Sequence, residues 1–160
     1  MTFQLSAQLN ADANCAFELY RKYLKRFRNE FPQSALTLFA NPDWHGGFAS
    51  KSPHDAELAD VRIVAPGTTS CSVELSLAKA ALGLKIFIQY SGVHDLQIQH
   101  SEATEKPMEW RYEQFRHVDV YSRFGKREKK LFTHDIEFVD GTIWSITAAN
   151  IEVNWKQSPM

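Results

Sequence analysis

The chain has 160 residues, of which 44% are hydrophobic, 12% aromatic and 23% charged, and its formal net charge is −1. This length and composition are typical of one soluble globular domain with a substantial core, and they exclude a disordered or fibrous chain. A net charge so close to zero creates no overall field that would attract nucleic acid or an anionic membrane surface. We therefore expect a single domain over residues 1–160.

The sequence carries no signal for export or membrane insertion. The N-terminus "MTFQLSAQLN" lacks the basic start and apolar run of a signal peptide, and no apolar stretch approaches the roughly 20 residues that span a bilayer. A disulfide between Cys15 and Cys71 would need an oxidising compartment, which no other feature indicates. The sequence predicts a cytoplasmic protein without membrane contact.

An amphipathic helix is predicted from about residue 13 to residue 30. Asp12 or Asn14 can cap its start by accepting hydrogen bonds from unpaired backbone N–H groups, and Pro32 ends it. Apolar residues recur at helical spacing and form one stripe: Ala16, Tyr20, Tyr23, Leu24, Phe27 and Phe31.

Beyond the helix, residues 32–55 are predicted to be irregular, because they include "NPDWHGGFASKSPHD", which is rich in proline and glycine. From about 58 to 155 the hydrophobic period changes to two, which indicates strands, with a bulge or strong twist expected in Trp110–Tyr121. No helical pattern separates these strands. The sequence thus predicts an α+β fold, with one N-terminal amphipathic helix packed on a curved, mainly antiparallel sheet of about six strands.

The last hairpin turns at Asp140-Gly141. A two-residue turn would place Ile136 opposite Ser145 and mix the apolar and polar faces. A three-residue loop, Asp140 to Thr142, keeps the faces apart if Gly141 is left-handed, so we predict this second register. Its pairs are Phe138 with Trp144, Ile136 with Ile146, and His134 with Ala148. A bulge or strand break is expected near Ala149-Asn150, where the apolar phase changes.

Histidine-aspartate pairs occur in three segments, "PHDAEL", "VHDLQI" and "FTHDIEF". Successive side chains of a strand point to opposite faces. Asp135 therefore cannot orient His134, and Asp95 cannot orient His94, unless the strand ends at the pair. Alternation instead places each histidine on an apolar face. His134 shares its face with Phe132, Ile136 and Phe138, and His94 shares its face with Leu96 and Ile98.

Several roles are open for these inward histidines. Three that converge would suit zinc, one beside small Ala148 could be a general acid or base, and each could be a structural group bonded to a carbonyl or cross-strand carboxylate. No short ligand spacing or nucleotide, zinc-protease or hydrolase motif occurs. We expect no metal, cofactor or catalytic residue. The candidate residues for binding a small ligand are His94, Trp110, Tyr112 and His134.

Two segments, 21–28 and 123–130, each hold five basic residues. Arg21, Lys25 and Arg28 lie on the helix face opposite the apolar stripe. Nucleic-acid binding through these segments is one hypothesis, although the rest of the chain is acidic and would repel a polyanion. A solvated helix face is the simpler interpretation.

The chain also resembles a group of small bacterial proteins. The segments that carry the resemblance are "YRKYLKRF", "FPQSALTLF", "HDAELADVRI", "LKIFIQYSGV", "WRYEQF" and "LFTHDIEF…WSITAANIEV", within about residues 17–155. These proteins share a helix, a Leu-Pro-like break (Phe31-Pro32 here), a His-Asp start to the first strand and a strand-rich remainder. Some are immunity-type proteins encoded beside toxins. The resemblance implies a bacterial protein that binds a protein partner without catalysis.

The functional hypotheses are therefore three. The first is binding of a protein partner. The second is a small-ligand-binding protein or enzyme with a pocket of histidine and aromatic residues. The third is nucleic-acid binding through the basic segments.

Overall fold

The computed structural model describes residues 5–45, 49–65, 71–100 and 108–157. These residues form an α+β fold in which helices precede an open six-stranded antiparallel sheet, as the sequence predicted. The helices are α1 (Leu5–Arg26), α2 (Gln33–Phe39) and α3 (Pro42–His45), with 3₁₀ turns at Arg28–Glu30 and Ala80–Leu82. The strands are β1 (Glu57–Val64), β2 (Cys71–Lys79), β3 (Leu84–Gln99), β4 (Trp110–Tyr121), β5 (Arg127–Phe138) and β6 (Ile143–Gln157).

Helix α1 is kinked at Asp12, whose backbone is extended rather than helical. The Asp12 Oδ1 atom accepts a hydrogen bond from the backbone N–H of Cys15 at 3.1 Å, which is the geometry of an N-terminal cap. The predicted cap is confirmed, and the segment after it ends at Arg26 instead of residue 30. The 3₁₀ turn and Pro32 then separate α1 from α2.

The segment predicted to be irregular contains two short helices, α2 and α3. Ala35 and Leu38 of α2 are buried, and the Ser34 hydroxyl accepts a hydrogen bond from the Ile151 N–H of β6 at 3.2 Å. A helix of this length shows only two turns of apolar spacing, so its pattern did not stand out among the prolines and glycines. Residues 46–48 of this segment lie outside the described part of the chain.

The sheet has the order β1-β2-β3-β6-β5-β4, so β1 and β4 are its edges. The two edges approach each other at one end, where Glu57 forms an isolated bridge with Glu109 and the Leu58 N–H donates to the Met108 carbonyl at 2.9 Å. The sheet remains open elsewhere. Its strong curvature turns one face into a concave surface over which the helices lie.

Gly92, in the middle of β3, has a left-handed φ of +61° and faces Ala149 of β6. β6 is unbroken here, yet its buried positions change from Ala148 to Ile151. The expected irregularity is therefore a change of face within a continuous strand. Tyr90 pairs with Ile151 and Val93 with Ala148, so both strands change face together.

Replacing Gly92 with alanine is expected to destabilise the fold by about 2–4 kcal/mol, because a left-handed alanine costs about 1–2 kcal/mol and crowding adds a similar amount. An alanine Cβ would lie 3.0 Å from the Ala149 Cβ. The matched control is Gly125→Ala, since Gly125 has a φ of +74° and nothing within 4 Å of an added Cβ. Urea unfolding measures both, and equal losses would contradict a role for the Ala149 contact.

The β5–β6 hairpin differs from its predicted register. Its loop runs from Val139 to Gly141, because the Phe138 N–H donates to the Thr142 carbonyl at 2.9 Å. His134 pairs with Ile146 and Ile136 with Trp144, so the predicted pairs were wrong by two residues. Val139 is held by a hydrogen bond to the Glu109 carbonyl at 2.8 Å, a long-range contact that moves the loop back by one residue. Gly141 is left-handed as predicted, and a shift of two keeps every side chain on its predicted face.

Candidate functional site

Helix α1 is anchored to the edge strand β4 by two tyrosine hydroxyls. The Tyr20 hydroxyl accepts a hydrogen bond from the Phe115 N–H at 2.6 Å, and the Tyr23 hydroxyl accepts one from the His117 N–H at 3.0 Å. Burial raises the pKa of both phenols above the usual value, so both keep their protons. The alternate N–H groups of the edge are thereby satisfied, and α1 is held beside the concave face.

A groove with a volume of about 1010 Å³ opens between α1, the short helices and the start of β4. This volume is at the upper end of the range for small-molecule sites. The residues that line the groove come from four parts of the chain: Phe17, Tyr20, Arg21, Leu24, Lys25 and Arg28 around α1; Leu36, Phe39, Ala40 and Trp44; Ser52, Pro53 and His54 before β1; and Trp110, Arg111, Tyr112 and Glu113 of β4.

The inner part of the groove is aromatic. Trp44 and Trp110 are each 1% exposed and meet edge to face, with their ring centroids 6.1 Å apart. Phe39 meets Phe115 in the same way at 4.9 Å. We call Phe39, Trp44 and Trp110 the aromatic floor. Phe39 is partly exposed, whereas Trp44 and Trp110 are almost fully buried and close the bottom of the groove.

One side of the groove is basic. Arg21, Lys25 and Arg28, which we call the basic wall, line it with exposed side chains and form no ion pair with any described residue. Arg111 adds a further positive charge, although its guanidinium lies 3.8 Å from Glu137. Glu113 is the one acidic side chain among the described residues that line the groove. The groove is therefore electropositive in a chain whose net charge is −1.

His134 lies behind the aromatic floor and is fully buried. Its ring stacks on Phe115 with centroids 4.0 Å apart and an angle of 14°. Its Nδ1 atom is 2.7 Å from the Tyr90 hydroxyl, and its Nε2 atom is 2.9 Å from Glu113 Oε2. A cross-strand carboxylate thus binds this histidine, as one of the sequence hypotheses allowed. We call the three residues the Tyr90–His134–Glu113 chain.

The burial of Tyr90 determines where the protons lie in the Tyr90–His134–Glu113 chain. Burial raises the pKa of Tyr90 well above its usual value, so the phenol keeps its proton. Within the described residues the Tyr90 hydroxyl has no partner except His134, so it donates to Nδ1. Nε2 then carries the ring proton and donates to the Glu113 carboxylate. All three polar groups are satisfied in this arrangement, and the carboxylate at its end reaches the groove.

The predicted binding residues are only partly brought together. Trp110 and Tyr112 line the groove, and His134 lies against Trp110 with centroids 5.5 Å apart. His94 is exposed on β3 and takes no part in the groove. The prediction that it shares a face with Leu96 is wrong, because a register shift between Val93 and Asp95 places Val93 and Leu96 on the core face instead.

The expected bulge in β4 is confirmed and has a consequence for the groove. The register shifts between Trp110 and Tyr112, so Tyr112 pairs with Glu137 while Glu113 pairs with Ile136 on the buried face. Unbroken alternation would have put Trp110 and Tyr112 on one face and Glu113 on the other. The bulge is therefore what turns Glu113 toward His134. Only a long-range pairing reveals this, which is why the sequence did not single out Glu113 or Tyr90.

Of the three His-Asp pairs, only His134-Asp135 lies in regularly alternating strand. His134 and Asp135 point to opposite faces, since Asp135 is bound by Gln114, Arg116 and Ser145. His54 and Asp55 instead precede β1, and Asp55 has a left-handed φ of +63°. The His54 Nδ1 and Asp55 Oδ1 atoms lie 2.8 Å apart at an angle that is not that of a hydrogen bond, and His54 lines the groove.

The described residues include neither a metal-binding cluster nor a helix able to cross a membrane. No three of their His, Cys, Asp or Glu side chains cluster closely enough to hold a metal ion. Within the same part of the chain, no helix has the length and apolarity needed to cross a membrane. No protein-family model, curated protein or solved structure matches this chain. The groove is therefore the feature of the chain that indicates a function.

Proposed function

We propose that the protein binds a small amphipathic molecule in the groove, with an apolar or aromatic body and an anionic group. The observation that carries this proposal is the position of the basic wall beside the aromatic floor. Arginine and lysine at the rim suit a carboxylate, sulfonate or phosphate, because they remain hydrated and charged while offering several N–H donors. The apolar side chains that line the groove beside them, among them Phe17, Leu24 and Phe39, suit an apolar body, whose burial contributes about 25 cal/mol per Å².

The absence of ion pairs on the basic wall, among the described residues, supports an anionic ligand in particular. Lys51, Arg62, Arg116 and Arg127 each have a carboxylate partner within 4 Å, whereas the charges of the basic wall are not engaged in this way by any described residue. Three unpaired charges on one side of a concave site produce a local positive potential. That potential favours entry of an anion and would repel a cation of the same size.

The test uses 6-phenylhexanoate and its neutral analogue 6-phenylhexan-1-ol, with calorimetry and tryptophan fluorescence as readouts of binding near Trp44 and Trp110. We expect the wild-type protein to bind the carboxylate more tightly than the alcohol. Substituting Arg21, Lys25 and Arg28 together with glutamine should weaken carboxylate binding about tenfold, since each exposed charge contributes about 0.2–1 kcal/mol.

The matched control is the triple glutamine substitution of Arg123, Lys126 and Lys129, which removes the same charge from exposed sites outside the groove. It should leave the affinity for 6-phenylhexanoate unchanged. The proposal fails if the wild-type protein does not bind the carboxylate, or if both triple substitutions weaken binding equally.

Binding of a protein partner is a second candidate, favoured by the edge strand β1. Ile63 is 60% exposed and Val64 40% exposed on this strand, whose outer edge is unpaired over most of its described length. A partner could add a strand there. Failure to form a complex with the product of any adjacent gene would count against it.

Nucleic-acid binding has less support. Arg127 of the second basic segment is bound to Glu30 and Asp119, and Lys130 donates to the Asn29 carbonyl at 2.6 Å. These contacts bring the two basic segments together but also engage part of their charge. The basic wall, moreover, faces a groove rather than an extended surface.

A further inference from the structure

The second polar feature of the groove is Glu113, and it differs from the basic wall in burial. Its side chain is 14% exposed, whereas the side chains of the basic wall are exposed. One carboxylate oxygen, Oε2, is held by His134, and Glu113 also lines the groove. A carboxylate in this position presents a negative group among aromatic rings, inside an otherwise electropositive site.

Structural stability alone does not require such a group. Buried charged or polar networks are often no more stable than apolar side chains of the same volume, because desolvation offsets their attraction. Here three residues from three strands are engaged to hold one carboxylate: Tyr90 from β3, His134 from β5 and Glu113 from β4. Tyr90 sets which nitrogen of His134 carries the proton, and that N–H sets the position of Glu113.

The hydrogen bonds run from the buried Tyr90 through His134 to Glu113, which lines the groove. Tyr90 and His134 are fully buried, and their side-chain hydrogen bonds lie within the Tyr90–His134–Glu113 chain. Neither residue therefore offers a polar group to a ligand. Glu113 is the member of the Tyr90–His134–Glu113 chain that a ligand can reach. An ionised carboxylate only accepts hydrogen bonds, so its natural partner is a donor.

We infer that Glu113 is a specificity-determining residue, which accepts a hydrogen bond from a hydroxyl, amide or ammonium group of the bound molecule. This inference rests on the proposed function and narrows its ligand class. The ligand would then carry its anionic group at the basic wall and a hydrogen-bond donor at the other end of its apolar body. A molecule without the donor would leave Glu113 desolvated and unpaired, which disfavours binding.

The experiment compares 6-(4-hydroxyphenyl)hexanoate with 6-phenylhexanoate, which differ by one donor. The wild-type protein should prefer the hydroxylated probe about tenfold, as expected for a hydrogen bond to a charged group. In Glu113→Gln the amide oxygen can still accept from His134, so the fold is retained, and an amide N–H₂ faces the groove. We expect the preference for the hydroxylated probe to fall severalfold in this variant, because a neutral amide forms a weaker hydrogen bond with the phenol than the carboxylate does.

Glu109→Gln is the matched control, because Glu109 precedes β4 and lies outside the groove lining. It should keep the wild-type preference. Equal binding of the two probes by the wild-type protein, with the dependence on the basic wall intact, overturns the role of Glu113 but not the proposed function. If the wild-type protein binds neither probe, the proposed function itself is overturned. A preference that keeps its wild-type size in Glu113→Gln places the acceptor of the ligand's hydroxyl group elsewhere and also overturns the inference.

Discussion

Replacing His134 with alanine is expected to lower the free energy of unfolding by about 3–5 kcal/mol. The ring is fully buried and stacked on Phe115, so its removal leaves a cavity, which typically costs about 2–5 kcal/mol. The substitution also leaves the Tyr90 hydroxyl and the Glu113 carboxylate without the partner that binds both. Each buried group without a partner adds about 1–3 kcal/mol, part of which relaxation and water recover.

The matched control is His94→Ala, which removes the same side chain from the same dipeptide context. His94 is exposed, so we expect a change within about 0.5 kcal/mol. Urea denaturation followed by circular dichroism gives both values. A loss below about 1 kcal/mol for His134→Ala would show that the Tyr90–His134–Glu113 chain does not contribute to stability. The variant His134→Phe, which fills the volume without an N–H, separates packing from hydrogen bonding.

Replacing Asp135 with asparagine is expected to cost about 2–4 kcal/mol at neutral pH, because a charged and mostly buried network is broken. The carboxylate accepts hydrogen bonds from Arg116 Nε at 2.6 Å, Arg116 Nη2 at 3.0 Å, Gln114 Nε2 at 2.7 Å and Ser145 Oγ at 2.7 Å. These contacts join β4, β5 and β6 on the face opposite the groove. An asparagine amide would direct two donors toward groups that are themselves donors.

The same substitution should change how stability depends on pH. Burial by itself raises the pKa of Asp135, but the hydrogen bonds from Arg116, Gln114 and Ser145 and the Arg116 charge outweigh burial and hold that pKa below its usual value. The stabilisation by ionised Asp135 is therefore fully present above the unfolded-state pKa of about 3.9 and is lost as the pH falls through the folded-state pKa. Wild type and Asp135→Asn should differ most at neutral pH and converge in acid.

Asp95→Asn serves as the comparison at neutral pH. Asp95 is the aspartate of the exposed His-Asp pair, and its carboxylate is bound by Gln97 alone among the described residues. We expect its substitution to change stability by less than about 0.5 kcal/mol. Stability curves for wild type and Asp135→Asn that stay parallel from pH 7 to pH 2 would contradict the proposed contribution of the ionised carboxylate.

The sequence was sufficient wherever a local period or a cap carries the information. A helix was predicted from the apolar stripe around Tyr20 and Phe27 and from the Asp12 cap. An antiparallel sheet was predicted from the alternation after Leu58. Alternation also separated His134 from Asp135, which excludes a dyad between neighbours. These features depend on side chains within a few residues of each other, so no knowledge of distant contacts was needed.

Long-range pairing decided the rest, because bulges and loop positions depend on strands that are distant in sequence. The hairpin register differed by two residues once Val139 was bound to Glu109, and a bulge removed His94 from the core face. A second bulge turned Glu113 toward His134. The groove itself exists because Tyr20 and Tyr23 hold α1 at the edge of β4, a contact across more than ninety residues.

The segment "FTHDIEF" shows both contributions. Its alternation alone determined that the histidine faces the core and the aspartate faces away, since successive side chains of a strand leave on opposite sides. Only the tertiary structure decided that the histidine binds Tyr90 and Glu113, while the aspartate binds Arg116, Gln114 and Ser145. Those partners come from three strands, β3, β4 and β6, and their positions follow from sheet order and bulges that local periodicity does not encode.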